Sequence, residues 1–344
     1  MKKAFACVIA VAAGVAFTAF GAPQETEPFW AWGFTTPPDP AMELPTVASV
    51  QTTLFGAAQP PRDNPSHQVA GSKFTFTRAQ MSARFAPADW FPEEHPPMPE
   101  IIAHGRESAN PKIIACALCH MPDGRGRSEN ANITALPYDY IVRQLHDFKA
   151  GLRRSSDPRK TNAALMEGFA QSMTDDDIKQ AATYFSSIPA PKRVRVVEST
   201  TAPKTRSSGG VFLVLEGAEA GKEPLGNRIV ETPEVTDDFE LWRNPHSGFV
   251  AYVPPGSIAK GKRLVETGGG KFTPCTACHG VDLRGLGPIP PLANRYPTYV
   301  VRQLYDMKHG NRVGAWSPLM APVVDKLTND DMVAIAAYLG SLDP

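Results

Sequence analysis

The sequence predicts a mainly α-helical protein in which one helical unit occurs twice, with long extended connecting segments and a small β-hairpin. Three observations predict it. The string Cys116-Ala117-Leu118-Cys119-His120 returns as Cys275-Thr276-Ala277-Cys278-His279. Around both strings the chain has helical periodicity, and the two surroundings align. The 34 prolines cluster outside the aligned regions, as expected of extended chain with little core of its own.

The chain has 344 residues, enough for about two domains. Its 35 basic and 35 acidic residues balance, so net charge points to neither nucleic acid nor an anionic membrane. Met1-Lys2-Lys3 and the apolar run from Ala4 to Phe20 read as a secretory signal peptide, residues 1–21, with small residues at Ala19 and Gly21 for cleavage after Gly21. The run is short for a membrane span, and no later segment is apolar enough to be one. Export to a periplasm follows. Cys7 leaves with the signal, so all four remaining cysteines lie in the two strings.

Four cysteines in an exported chain would ordinarily suggest two disulfides. The His that closes each string argues otherwise, because a disulfide has no use for it. Two thiols three residues apart on a helical turn can each form a thioether to a haem vinyl group, and the following His becomes the proximal iron ligand. Cys116, Cys119, Cys275 and Cys278 are therefore the expected attachment points, and His120 and His279 the expected proximal ligands, of two covalently bound haem c groups.

The copies align at an offset of 159. Tyr140-Ile141-Val142-Arg143-Gln144-Leu145 matches Tyr299-Val300-Val301-Arg302-Gln303-Leu304, and Lys149 and Gly151 match Lys308 and Gly310. Both stretches predict a middle helix that stops at a Gly. Upstream, Ile102-Ala103-His104-Gly105 resembles Ile258-Ala259-Lys260-Gly261, the expected opening helix. Downstream, Thr174-Asp175-Asp176-Asp177-Ile178 matches Thr328-Asn329-Asp330-Asp331-Met332 at an offset of 154, so copy one holds five extra residues, expected within Arg154 to Lys160. Thr174 and Thr328 are the expected N-caps of a closing helix. Met173 and Leu327 precede them as staple residues against Ile178 and Met332. Seven residues before this pair, Met166 and Met320 coincide, in what reads as a loop. A recurring loop Met is the expected distal iron ligand.

In this order of elements each unit resembles a class I cytochrome c, and the tandem is similar to the diheme cytochromes of the c-four type. The closing stretches Ala181-Ala182-Thr183-Tyr184-Phe185 and Ala336-Ala337-Tyr338-Leu339 resemble the aromatic-bearing last helix of that family. The resemblance covers residues 96–189 and 255–344 as two cytochrome c domains. It leaves 22–95 as a Pro-rich extended segment and 190–254 as a linker with a hairpin. It also implies a Pro-Leu step whose Pro carbonyl accepts a hydrogen bond from the proximal His. Pro291-Leu292 fits that step in copy two, and Asn132-Ile133 stands there in copy one.

Paired His and Met ligands leave iron no open site and favour electron transfer over substrate binding. The implied function is a periplasmic carrier moving electrons from a dehydrogenase or quinol-oxidising complex to an oxidase or reductase, without enzymatic activity of its own. The alternatives are a diheme peroxidase, which needs one vacated iron site, and a cytochrome subunit of a larger dehydrogenase complex associated with a membrane. A diheme thiosulfate dehydrogenase shares the tandem plan, but the resemblance asks for a cysteine ligand that no free mature Cys supplies.

Outside the repeat, Phe29-Trp30-Ala31-Trp32-Gly33-Phe34 reads as an arm packed on its own protein, with partner docking as the rival use. Arg193–Val196 and Val211–Leu215, either side of a Ser/Gly-rich turn, are expected to form the hairpin. His67, His95, His104, His146, His246 and His309 are expected to be ordinary histidines. Arg143, Lys149, Arg153, Arg154, Arg159 and Lys160 suggest a basic rim for an acidic redox partner.

Overall fold

The structure is a computed structural model that describes residues 27–56 and 65–344; residues 1–21, expected to be a signal peptide, lie outside the described residues. It is mainly helical, with small sheets between and beside two helical units. Copy one holds helices Glu100–Ala103, Cys116–His120, Tyr138–Lys149, Asn162–Ser172 and Asp175–Ser186. Copy two holds Ser257–Thr267, Thr276–His279, Pro297–Lys308, Ala321–Val324 and Asn329–Ser341. Among the described residues no helix is long and apolar enough to cross a membrane.

Local chemistry sets most of these boundaries. Both closing helices begin at full capping boxes: Thr174 and Thr328 accept from the backbone N–H of Asp177 and Asp331, whose carboxylates accept from the threonine N–H in return. The middle helix of copy one buries Ile141 and Leu145, four apart on one face. Its counterpart starts with Pro297 at a position where the missing N–H costs nothing.

The opening helices differ, against expectation. Ser257–Thr267 runs for 11 residues, and its Gly261 lets it press on the closing helix, where a Cβ would collide with the Ala334 carbonyl. Glu100–Ala103 has only 4 residues, because Gly105 turns the chain with φ +64 and leads it into the bridge Arg106–Ile113. The same Ile-Ala-x-Gly pattern thus ends one helix and sits inside the other.

The hairpin also differs. Thr205–Ser208 pairs with Val211–Val214 across Gly209 and Gly210, both at positive φ, as a two-residue turn demands. Val194–Glu198 instead pairs in parallel with Phe249–Val253, which pairs antiparallel with Val230–Pro233. A two-residue turn can join only the strands that abut it, so the earlier apolar run finds a partner far away in sequence.

Residues 27–56 and 65–95 carry some helix as well as extended chain. Val47–Gly56 packs on Asn162–Ser172, a helix not expected from its β-branched, weakly patterned sequence. The arm Phe29–Trp32 packs on its own protein: Trp30 and Trp32 are buried in the core of copy two. That core runs on through the sheet. Copy one has a separate core, and a third cluster of Val69, Met81, Trp90, Phe91 and Trp242 ties the outer segments together.

Candidate functional site

Each unit encloses one large apolar cleft. The first has about 1460 Å³ of empty space including its mouth and is lined by Cys116, Cys119, His120, Met166 and Met173. The second, of about 1740 Å³, is lined by Cys275, Cys278, His279, Met320 and Leu327. Every sequence-predicted site residue therefore lines the cleft of its own copy. None of the six other histidines lines either cleft.

No disulfide joins any of the four cysteines among the described residues. Burial pushes the Cys116 thiol up to about 12 and the Cys275 thiol up to about 11, with the neighbouring cysteine adding in each case. Sulfur so placed is part of an apolar wall rather than a ready thiolate. Burial holds His120 and His279 below the ordinary histidine value, which keeps each imidazole neutral, the form a metal ligand needs.

Each His donates Nδ1–H to a carbonyl, which fixes the ring and leaves Nε2 free for metal. The acceptors are Ala131 O at 3.0 Å and Pro290 O at 2.8 Å. This corrects the expected register by one residue: the carbonyl belongs to Pro290, not Pro291, and Ala131 takes the role in copy one. A carbonyl acceptor needs no particular side chain, so the step survives the loss of Pro. Asn132 braces it in copy one, its Oδ1 accepting from Thr134 N at 3.0 Å and Thr134 Oγ1 at 2.6 Å.

The methionines need a correction too. Met166 lies within the helix Asn162–Ser172, not in a loop, whereas Met320 sits at the junction of two short helical turns. Pro318 and Pro322 stand where copy one has Ala164 and Gly168, so the same stretch winds as one helix in copy one and as two short turns in copy two. Met173, expected as the staple residue before the closing helix, is the C-cap of Asn162–Ser172 and also lines the cleft. Its carbonyl accepts from Lys149 Nζ at 2.8 Å, and the Leu327 carbonyl accepts likewise from Lys308. The repeat thus keeps position 173/327 for structure, and Leu327 shows that sulfur is not needed there.

Sequence reasoning missed the partition between the clefts. Leu136, Tyr140, Gln144, Tyr299 and Gln303 line both. Arg153 donates to Gln144 Oε1 at 2.9 Å, Tyr299 Oη at 3.0 Å and Gln303 Oε1 at 2.9 Å. Arg312, 159 residues on, donates to Gln303 Oε1 at 2.9 Å, Tyr140 Oη at 2.8 Å and Gln144 Oε1 at 2.9 Å. The signal was present, since both arginines obey the repeat offset, but offset alone cannot show that each crosses to the other unit. Arg295 adds a second crossing, donating to Asn132 O at 2.8 Å and Thr134 O at 3.0 Å from a fully buried position.

This wall is rich in cations whose hydrogen bonds go to neutral groups. Burial holds Arg295 down at about 10. Lys160, 5% exposed, lines the first cleft with its Nζ unpartnered, and burial pulls it well below its ordinary value. Buried cations call for anionic partners. A haem c brings two carboxylates, so apolar walls, paired thiols, a neutral carbonyl-bound His and a cationic end together fit that group.

Of the expected basic rim only Arg154 is exposed, and most of the rest is spent inside the molecule. Arg159 pairs with the buried Asp157 at 2.6 Å, donates to Thr36 O at 2.8 Å and stacks on Phe34 at 3.9 Å. Ser155 accepts from Trp32 Nε1 at 2.8 Å. The inserted loop of copy one therefore clamps the N-terminal arm. Arg143 stacks on Trp316 of the other unit at 3.7 Å, and the repeat-related Arg302 is buried against Ala31 O and Ser128 O, both at 2.7 Å.

Residues 105–189 and 258–343 each match the sequence profile of the family described as Cytochrome c. Cytochrome c-554(548) of Halomonas halodenitrificans is 39% identical over 72 residues, 21% of this chain and 87% of that protein. Cytochrome c4 of Pseudomonas aeruginosa is 23% identical over 240 residues, 67% of this chain and 85% of the relative. A Stutzerimonas stutzeri protein named thiosulfate dehydrogenase electron acceptor is 24% identical over 237 residues, 68% and 82% of the two chains. The chain belongs to the cytochrome c family and is a diheme electron carrier with two cytochrome c domains and two covalently bound haem c groups.

Proposed function

We propose that the protein is a periplasmic carrier that passes electrons, one per haem, from a dehydrogenase or quinol-oxidising complex to an oxidase or reductase. In this reading Cys116, Cys119, Cys275 and Cys278 hold the two haems. His120 with Met166, and His279 with Met320, would ligate the two irons, and residues 96–189 and 255–344 are the working domains. Each haem, when bound, supplies an iron that takes up and gives up one electron. The chain's own residues exclude water from the clefts, fix each imidazole through a carbonyl, and set buried guanidinium groups against the carboxylates that the haems bring.

The observation that carries the reading is the shared wall of Tyr140, Gln144, Tyr299 and Gln303. Two redox groups on either side of one layer of side chains are placed for exchange between them, as a two-electron donor and a one-electron acceptor require. The relative named as an electron acceptor of thiosulfate dehydrogenase supports a dehydrogenase as donor. A redox titration followed by visible spectroscopy tests the reading. Two reversible low-spin centres are expected, whereas a high-spin component with peroxide turnover would move the protein to the peroxidase class.

A further inference from the structure

The two copies treat the loop after the haem motif in opposite ways. In copy two, Val281 is 91% and Leu286 is 62% exposed. In copy one, Leu118, Met121 and Asp123 are buried beneath two segments from outside the repeat. A small cavity marks the seam, lined by residues 87–91 and His95, by Arg243 and Pro245, and by Leu118 and Met121. Arg243 donates to Leu118 O at 2.5 Å, Trp90 Nε1 to Trp242 O at 2.7 Å, and Arg125 to Pro245 O at 3.0 Å.

His95 sits where this cover meets the closing helix of copy one, with its side chain 3% exposed. Its Nε2 is 2.9 Å from Asp89 Oδ2. Its Nδ1 is 2.9 Å from Pro96 O and 2.8 Å from Tyr184 Oη. Tyr184 Oη also lies 2.7 Å from Pro122 O, so its one hydroxyl proton is shared between that carbonyl and the ring. Asp89 Oδ2 beside Nε2 and Pro96 O beside Nδ1 can only accept. A neutral imidazole can satisfy only one side, and an imidazolium satisfies both.

We propose that residues 87–96 and 242–246 form a proton-controlled latch over the haem attachment loop of copy one, closed while His95 is charged and released when it loses its proton. The charged groups around the ring agree. Asp89 and Glu94 come from the cover. Asp123 comes from the loop beneath, paired with Arg125 at 2.8 Å, and Arg125 also reaches Glu94 at 3.3 Å. From the linker, Arg193 and Arg243 approach the loop, and His246 bonds Glu94 at 2.9 Å. Burial alone would lower His95. The Asp89 and Pro96 hydrogen bonds and the charges of Asp89 and Asp123 outweigh it and hold the ring above the ordinary histidine value.

A raised folded value gives a defined sign. The latch is fully held below the ordinary histidine value and is lost as pH rises through the raised one. Between those two values the open fraction rises by up to about tenfold per pH unit. Closed, the latch denies partners the apolar loop of copy one and leaves that of copy two as the bare one.

Two measurements on the reduced holoprotein test this. Nitrogen NMR across a pH series is expected to show the His95 ring losing its proton above the ordinary histidine value, and a ring already neutral below that value would overturn the proposal. Hydrogen exchange, corrected for intrinsic rates, is expected to show protection of residues 87–96 falling as His95 titrates, with strand Phe249–Val253 unchanged. In His95→Gln that protection is expected to be low and independent of pH. Wild-type protection that stays flat while His95 titrates would sink the latch, whatever the variant does.

Discussion

Arg153 reaches out of its own unit to the hydroxyl of Tyr299, and Arg312 returns the contact to Tyr140, while their backbones form an antiparallel bridge. The crossing makes a nearly two-fold wall from one repeated set of Tyr, Gln and Arg. Burial would raise Tyr299, but the two guanidiniums outweigh it and hold the phenol below its ordinary value.

Arg153→Met should weaken both the interface and the two redox centres. It removes three hydrogen bonds, each worth about 1 kcal/mol net, and the expected loss of stability is about 1–3 kcal/mol in a denaturant titration. Loss of a cation from the shared wall favours the more positive, oxidised state. Both midpoint potentials are therefore expected to fall. A change at only one centre would show that the wall is not shared in function.

The paired methionines of copy one separate structure from ligation. Met166→Ala is expected to remove an axial ligand, giving a high-spin signal and a lower potential at one centre while the other keeps its spectrum. Met173→Leu, which copies the residue found at Leu327, is expected to leave both spectra unchanged and cost less than about 1.5 kcal/mol. The reverse result would assign the ligand to Met173.

How much of this was legible in the sequence depends on the range of the forces involved. The motifs, caps and middle helices could be read because attachment chemistry, capping and helical periodicity act within a few residues. Thr174 and Asp177 announce a capping box by spacing alone. The parallel pairing of Val194–Glu198 with Phe249–Val253 could not be read, because nothing local selects a partner some 50 residues away. Gly105 and Gly261 teach the same lesson, since one pattern serves as a helix stop or a helix crossing according to what packs on it. Arg153 and Arg159 looked like a solvated basic rim, yet both have partners supplied by distant segments.

The bare loop of copy two should matter to partners and not to folding. Val281→Asp with Leu286→Asp is expected to slow electron exchange with a protein partner at least several-fold in stopped-flow mixing. Both residues are exposed, so the stability change should stay within about 0.5 kcal/mol per substitution. Reduction by a small soluble reductant should be unaffected. Equal rates with the protein partner would place the docking surface elsewhere.

Asp331 gives the clearest acid dependence in the molecule. Burial would raise its carboxyl, but the hydrogen bonds from Lys271 at 2.8 Å and Lys260 at 3.0 Å, with the Thr328 N–H, hold it down at about 2. A depressed folded value means that its contribution is present above the ordinary carboxylate range and is lost as pH falls toward 2. Asp331→Asn keeps a capping acceptor but loses the charge that draws both lysines to the closing helix. The variant is expected to be less stable than wild type by about 1 kcal/mol at neutral pH, with the gap closing as acid protonates the wild-type carboxyl. Thermal melts at stepped pH would show the two curves converging at low pH, and a gap that stayed constant would assign the loss to packing instead of charge.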